Sequence, residues 1–159
     1  MGLIVGLTLI PGVIATGWAA LQGAPQLATA ALLIAVPGWS AGLLFPSPEL
    51  MAAALGTAGV DRATSVTILT SLVEFTSPGL GATVLIFVVA HIGGTVLLGL
   101  ALYRARVVPR LLAILLVLAQ PLHFVAFVVV QNTALDVTAS WLTALGFGAA
   151  GWTLIRHCR

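Results

Sequence analysis

Two histidines lie inside long apolar runs of this sequence, where a titratable ring invites a chemical explanation. His91 lies in VLIFVVAHIGGTVLLGLALYRAR, and His123 lies in RLLAILLVLAQPLHFVAFVVV. His91 precedes Arg104 by 13 residues, and His123 follows Arg110 by 13 residues. If both runs are helices joined by the arginine-rich turn, a rise of ~1.5 Å per residue puts both rings ~20 Å from the arginines. The spacing therefore predicts equal depth, but it does not determine whether the two rings face each other.

Three interpretations of the histidine pair fit these residues. In the first, the imidazoles make interhelical hydrogen bonds, which contribute about 0.6 kcal/mol on average and at most ~2 kcal/mol in membranes. In the second, they are axial ligands of haem b, with Gly93 and Gly94 leaving room for the porphyrin. Arg62 is then the one candidate partner for the propionates. In the third, they belong to a proton or metal-ion path, because intramembrane ionisable groups are functional hypotheses by default. No intramembrane Asp or Glu is expected beside them, which argues against a pump.

A glutamine near one histidine extends the polar set. Gln120 lies three residues before His123 and shares its helix face, and Pro121 frees a backbone carbonyl close by. Gln120, His123 and His91 are therefore predicted to form a small polar cluster.

The composition shows what kind of structure must position these side chains. The chain has 159 residues, of which 60% are hydrophobic and only 6% are charged. Soluble domains are roughly a quarter charged, and the mean hydropathy here is +1.19. A bilayer core is ~30 Å thick and needs ~20 apolar residues per helix. We therefore expect an all-α, polytopic transmembrane helical bundle of about five spans.

The predicted elements form a single transmembrane domain over residues 1–159. The predicted spans are residues 3–21, 27–45, 80–103, 111–130 and 139–155. Residues 46–78 are predicted to be extracytoplasmic, with a short helix in ELMAAALGTAG and an amphipathic helix in DRATSVTILTSLVEF. In the second of these helices, Asp61 lies near the start, and an apolar face is expected from Val66, Leu69, Leu72 and Val73.

Arginine sets the predicted orientation. Arg104, Arg106 and Arg110 form one turn, and Arg156 and Arg159 flank the same side if the last three spans alternate. Short loops rich in Arg stay in the cytoplasm, so the C-terminus is predicted to be cytoplasmic, in the bacterial cytoplasmic membrane. Five spans would then place Met1 outside; the alternatives are a re-entrant first span and a further helix upstream. Tryptophans near predicted span ends suggest an aromatic belt: Trp18, Trp39, Trp141 and Trp152.

No pattern in the chain indicates an enzyme. It lacks a nucleophile–base constellation, a phosphate-binding loop and a Cys or Glu metal cluster, and its net charge of +2 is too small to indicate nucleic-acid binding. Gly38 and Gly42 form a G-x-x-x-G, which permits close helix packing within a bundle or in a homo-oligomer. The expected partners are the lipid bilayer and other membrane subunits. We expect a small accessory or structural subunit; the alternatives are a haem b electron carrier and a small ion or solute transporter.

Three stretches carry a resemblance to a known group of proteins: HIGGTVLLGLALYRARVVPR, QPLHFVAFVVV and WLTALGFGAAGWTLIR. Over about residues 60–156 the chain resembles small multi-pass integral membrane proteins of actinobacteria to which no function is assigned. The resemblance implies a compact helical bundle. It also implies further sequence upstream of Met1, and it implies no activity.

Overall fold

The computed structural model describes residues 2–43, 48–73 and 78–157, and within these ranges it contains helices and no strand. The helices are α1 (Gly2–Leu21), α2 (Pro25–Gly42), α3 (Pro48–Thr57), α4 (Arg62–Val73), α5 (Pro78–Ala105), α6 (Arg110–Phe124) and α7 (Thr133–His157). A single π-helical turn, Val125–Val129, continues α6. The all-helical prediction is confirmed.

Five helices form the bundle: α1, α2, α5, α6 and α7. Helix α5 packs most extensively on α2 and also on α6, while α7 packs on α6 and α1. Helices α3 and α4 pack against each other, and in the described ranges neither packs extensively on the bundle. The histidine-bearing helices α5 and α6 therefore lie next to each other, as the hairpin prediction requires.

Two of the described helices are long and apolar enough to cross a membrane, namely Gly81–Ala105 and Arg110–Val129. The part of α1 with described side chains, Thr8–Leu21, is apolar but shorter. This supports membrane association. It does not support the expected count of about five spans.

Small residues in the core let the helix backbones approach closely. A Cβ added at Gly38 of α2 would lie 2.6 Å from the Ala90 carbonyl carbon, and one at Gly94 of α5 would lie 2.5 Å from the Ala35 Cα. Most of the fully buried core positions are alanines: Ala19, Ala20, Ala28, Ala31, Ala35, Ala101, Ala113, Ala119, Ala126, Ala139 and Ala150. Because van der Waals packing of small residues drives helix association in membranes, we read Gly38 as a packing position within the bundle.

Two turns and two helix ends meet at one end of the bundle. The α1–α2 turn meets the end of α5, because a Cβ at Gly23 would lie 2.7 Å from the Ala105 Cα. The end of α7 also meets the α5–α6 turn, since the Thr153 hydroxyl donates a hydrogen bond of 3.4 Å to the Val107 carbonyl. The arginine-rich turn and the end of α7 therefore lie at the same end, as the topology prediction requires.

The predicted extracytoplasmic segment contains the two short helices expected of it. Asp61 caps α4, accepting hydrogen bonds of 3.0 Å from the backbone N–H groups of Ala63 and Thr64. Val66 is exposed and Leu69 is half-buried, while the side chains of Leu72 and Val73 lie outside the described residues. The predicted apolar face of α4 is therefore exposed at Val66 and partly covered at Leu69.

Candidate functional site

The two histidines face each other across the α5–α6 contact. Their ring centroids lie 6.5 Å apart, with the ring planes at 75°. His91 is only 4% exposed, whereas the side chain of His123 is 33% exposed. The equal depth predicted from the 13-residue spacings is thus accompanied by a ring contact that spacing alone could not establish.

The orientation of His91 is fixed by its own helix and by α2. Its Nδ1 lies 2.7 Å from the Phe87 carbonyl oxygen, and because a carbonyl only accepts, Nδ1 is the donor. The Phe87 ring stacks on the imidazole at 4.2 Å, and the Trp39 ring contacts it edge-on at 5.2 Å. His91 is therefore held on two sides by aromatic rings.

Trp39 ties α2 to this site through a threonine. The Trp39 indole N–H donates to the Thr95 hydroxyl at 3.1 Å, and that hydroxyl donates to the His91 carbonyl at 2.7 Å. Trp39 is half-buried, whereas Trp18, Trp141 and Trp152 are exposed. Trp39 therefore differs from the other three tryptophans in making a hydrogen bond inside the bundle, and the aromatic belt stays a prediction.

Asp136 is the residue that the sequence analysis missed. Its carboxylate accepts a hydrogen bond from His123 Nδ1, and the side chain of Asp136 is 23% exposed. The expectation that no acidic residue accompanies the histidines is therefore wrong. The predicted spans 111–130 and 139–155 leave Asp136 outside both, so the spans alone do not bring it to the histidines.

Helix capping explains why Asp136 joins the site. The Asn132 side chain accepts a hydrogen bond of 3.1 Å from the Leu135 N–H, so α7 begins at Thr133 and Asp136 lies in its first turn. Asn is a preferred N-cap, and an acidic residue in the first turn is favoured by the helix dipole. Asn132 followed by Asp136 is a helix-start signal that could have identified this boundary.

Gln120 joins α6 to α7 through a second bond. Its amide donates to the Thr143 hydroxyl at 2.9 Å, and Thr143 donates to the Ala139 carbonyl at 3.1 Å. Gln120 is 3% exposed, and its Oε1 has no hydrogen-bond donor among the described residues. Its observed partner is thus a threonine that the sequence analysis did not select.

The packing around the pair does not fit a haem. The space expected beside Gly94 is filled by the Ala35 backbone of α2, while Gly93 faces open space away from its neighbours. The stacked Phe87 ring also covers one face of His91. A porphyrin held by both imidazoles would have to displace α2, the helix that packs most extensively on α5.

Between the histidines and the arginine-rich turn, the buried polar side chains of Thr95, Gln120 and Thr143 are followed by apolar ones. Leu98, Leu102 and Leu116 are fully buried at this level. The cluster is thus separated from that end of the bundle by a layer of leucine side chains. This layer argues against a polar path that crosses the whole bundle.

The arginines that predict the orientation are exposed at the end of the bundle that carries the α5–α6 turn. The Arg110 guanidinium lies 5.8 Å from the centre of the Tyr103 ring, and Arg156 lies 5.3 Å from that of Trp152. Arg104 and Arg106 are exposed as well, and Arg104 lines a hollow of about 520 Å³ beside the α1–α2 turn. These positions fit an interfacial arginine cluster.

The group formed by His91, His123 and Asp136 carries few metal-ligating side chains. Within the described ranges, no group of three or more His, Cys, Asp and Glu residues is arranged to hold a metal ion. The cluster consists of two imidazoles that face each other and one carboxylate on the far nitrogen of His123.

The chain matches no protein-family model, and it has no significant match among curated proteins or solved structures. The assignment of a function therefore depends on the site itself.

Proposed function

We propose that this chain is a non-catalytic integral membrane protein of the bacterial cytoplasmic membrane, acting as a small accessory or structural subunit. In this proposal the His91, His123 and Asp136 side chains, hereafter the histidine cluster, hold α5, α6 and α7 together inside the bilayer.

The observation that carries the proposal is where the polar and apolar side chains lie. Large apolar side chains cover the outside of the bundle helices: Leu33, Leu85, Val89, Leu111, Leu118, Phe127, Val129 and Leu145 are all exposed. Polar side chains instead pair between helices inside, in the Trp39–Thr95, Gln120–Thr143 and His123–Asp136 contacts. Water disfavours such an outer surface, whereas lipid accepts it.

The five bundle helices are the proposed spans, with the arginine-rich turn and the C-terminus in the cytoplasm. The placement of Arg104, Arg110 and Arg156 at one end of the bundle supports this orientation. The proposed partners are the lipid bilayer and either other membrane subunits or further copies of this chain, without nucleic acid.

The alternatives receive less support from the packing. Electron transfer through haem needs space that the Ala35 backbone of α2 occupies beside Gly94. Transport across the bundle needs a path through the buried Leu98, Leu102 and Leu116 layer. A helix-holding role needs neither.

A measurement of assembly in native membranes tests the subunit role. Membranes would first be washed with alkaline carbonate, and the chain would then be extracted with its surrounding lipid in polymer nanodiscs and its particle mass measured. We expect the chain to resist the carbonate wash and to elute in a particle heavier than one chain. Release by carbonate would contradict the membrane assignment. A particle with a single protein chain would contradict the subunit role.

A further inference from the structure

We propose that His91 and His123 form a two-coordinate site for one Cu(I) ion, which enters from the extracytoplasmic end of the bundle. This goes beyond the proposed structural role, because it assigns a ligand to the same imidazoles.

The hydrogen bonds leave the Nε2 atoms of both histidines as ligand atoms. His91 Nδ1 donates to the Phe87 carbonyl, and His123 Nδ1 donates to the Asp136 carboxylate. A neutral imidazole that donates from Nδ1 has an electron lone pair on Nε2. Histidines that bind metals commonly have this arrangement, in which the other ring nitrogen donates to a carbonyl or a carboxylate.

The ring separation fits one ion shared by two imidazoles. With metal–nitrogen bonds of about 2.0 Å and roughly 1.1 Å from each nitrogen to its ring centre, a linear arrangement places the centroids about 6 Å apart. The observed separation is 6.5 Å. A linear bis-imidazole complex imposes no angle between the ring planes, so the observed 75° is compatible with it.

The ligand count and the charge select the ion. Zn²⁺ sites use at least three protein ligands, whereas no third His, Cys, Asp or Glu completes a site among the described residues. Imidazole suits copper, and Cu(I) accepts two ligands. With neutral imidazoles, the ionised Asp136 gives the cluster one negative charge, which a monovalent cation balances. A divalent ion would leave an uncompensated charge among apolar helices, which is unfavourable.

The exposure of the cluster gives the direction of entry. Asp136 and His123 are partly exposed, at 23% and 33%, whereas His91 is 4% exposed. The buried leucine layer closes the site towards the arginine-rich end. In the proposed orientation the open side faces out of the cell, so the site would be loaded from outside.

Copper titration tests this inference. The full chain carrying His157→Gln and Cys158→Ser, which remove two other copper-binding side chains, would be titrated anaerobically with Cu(I) against a chromophoric chelator. We expect one Cu(I) per chain. The double His91→Phe, His123→Phe variant defines the background, and replacing either histidine alone should reduce binding to that background. Asp136→Asn should weaken binding by about 10–100-fold, as loss of an orienting partner does.

A matched control separates ligand loss from misfolding. Thr143→Val removes the other α6–α7 hydrogen bond, and it should leave copper binding unchanged. Circular dichroism melts would confirm that each variant is folded. X-ray absorption of the loaded parent chain should show two nitrogen ligands and no sulfur, and this result does not depend on any variant.

Three results would overturn the copper site: no binding above that of the double variant, binding that survives loss of one histidine, or a coordination shell with three or more ligands. Failure of the subunit proposal would appear separately, as a single-chain particle that still binds one copper ion.

Discussion

At the residue scale, the contact between His123 and Asp136 decides how the cluster behaves. A carboxylate on Nδ1 fixes which ring nitrogen carries the proton and leaves a lone pair on Nε2. Both side chains are partly exposed, so solvent screening limits the strength of the pair. We therefore expect the pair to contribute modestly to the contact between α6 and α7 while it fixes the orientation of the His123 ring.

A double-mutant cycle measures this pair. Replacing His123 and Asp136 by Ala, singly and together, should give a coupling free energy of about 1 kcal/mol, because interhelical polar contacts in membranes rarely exceed ~2 kcal/mol. Unfolding of the detergent-solubilised chain by a denaturing detergent provides the readout. The same cycle between His123 and Thr143 is the control, with an expected coupling below about 0.3 kcal/mol. Equal coupling in both cycles would contradict the assigned pairing.

A second residue-scale prediction concerns the cap of α4. Hydrogen bonds from the Thr64 hydroxyl, then from the Thr64 and Ala63 backbone, hold the pKa of the Asp61 carboxyl below its usual value. A carboxyl with a lowered folded-state pKa stabilises the helix above its unfolded-state pKa, and that stabilisation is lost as the pH falls through the folded-state pKa.

Acidification should therefore unwind the first turn of α4. Helical chemical shifts of residues 62–66, followed by NMR from neutral pH to below pH ~4, should move towards coil values. Asp61→Asn is the matched control, since Asn caps a helix without titrating in this range. An equal acid-induced shift in the Asn variant would show that the cap is not its cause.

Part of the site could be predicted from the spacing of residues in the sequence. The two 13-residue spacings predicted that His91 and His123 lie at the same distance from the arginine-rich turn. Two straight helices joined by that turn have this property whatever their rotation. The spacings did not predict the ring contact, because rotation about the helix axes depends on α2 and α7 packing. Asp136 was missed because its polar neighbours resemble a loop, while its helix begins at the Asn132 cap.

At the element scale, the close approach of α2 and α5 holds His91 in place. Gly38 and Gly94 let the two backbones touch beside the imidazole. The G-x-x-x-G pattern predicted close packing, but it did not identify α5 as the partner. Helix α7 begins at Thr133, before the predicted limit of residue 139, because Asn132 caps it. The predicted end of the fourth span at residue 130 agrees with the end of the π-helical turn at Val129.

Two adjacent glycines should respond to alanine in opposite directions. Gly94→Ala places a methyl group 2.5 Å from the Ala35 Cα, so we expect the free energy of unfolding to fall by about 1–3 kcal/mol. Gly93→Ala meets no atom within 4 Å and gains helix propensity, so it should be neutral or stabilising by up to about 1 kcal/mol. Thermal melts of the purified variants would measure both changes. Equal destabilisation at the two positions would contradict the α2–α5 packing.

At the scale of the whole molecule, composition predicted the class of structure well. A chain that is 60% hydrophobic and 6% charged must put apolar side chains on its surface as well as in its core. The structure has this outer surface, with helices throughout the described ranges. The expected number of spans is not supported, because within the described ranges two helices combine sufficient length with sufficient hydropathy.

Cysteine labelling tests the proposed orientation. Cys158 is the single cysteine of the chain, and a membrane-impermeant maleimide should label it only after the cells are opened. In a Cys158→Ser background, Gly56→Cys should react with intact spheroplasts, because a side chain there meets no atom within 4 Å. The opposite pattern would invert the topology, and labelling of both cysteines in intact spheroplasts would contradict the five-helix arrangement.

In the proposed arrangement, His91, His123 and Asp136 form one cluster that links three helices. NMR of the protein in lipid bilayers, labelled at histidine and aspartate, tests this arrangement directly. The sample would carry His157→Gln, so that two imidazoles contribute signals. We expect a cross-peak between the two rings, a proton on His91 Nδ1, and a contact between His123 Nδ1 and the Asp136 carboxyl carbon. Separate rings, or a His91 protonated at Nε2 instead, would contradict it.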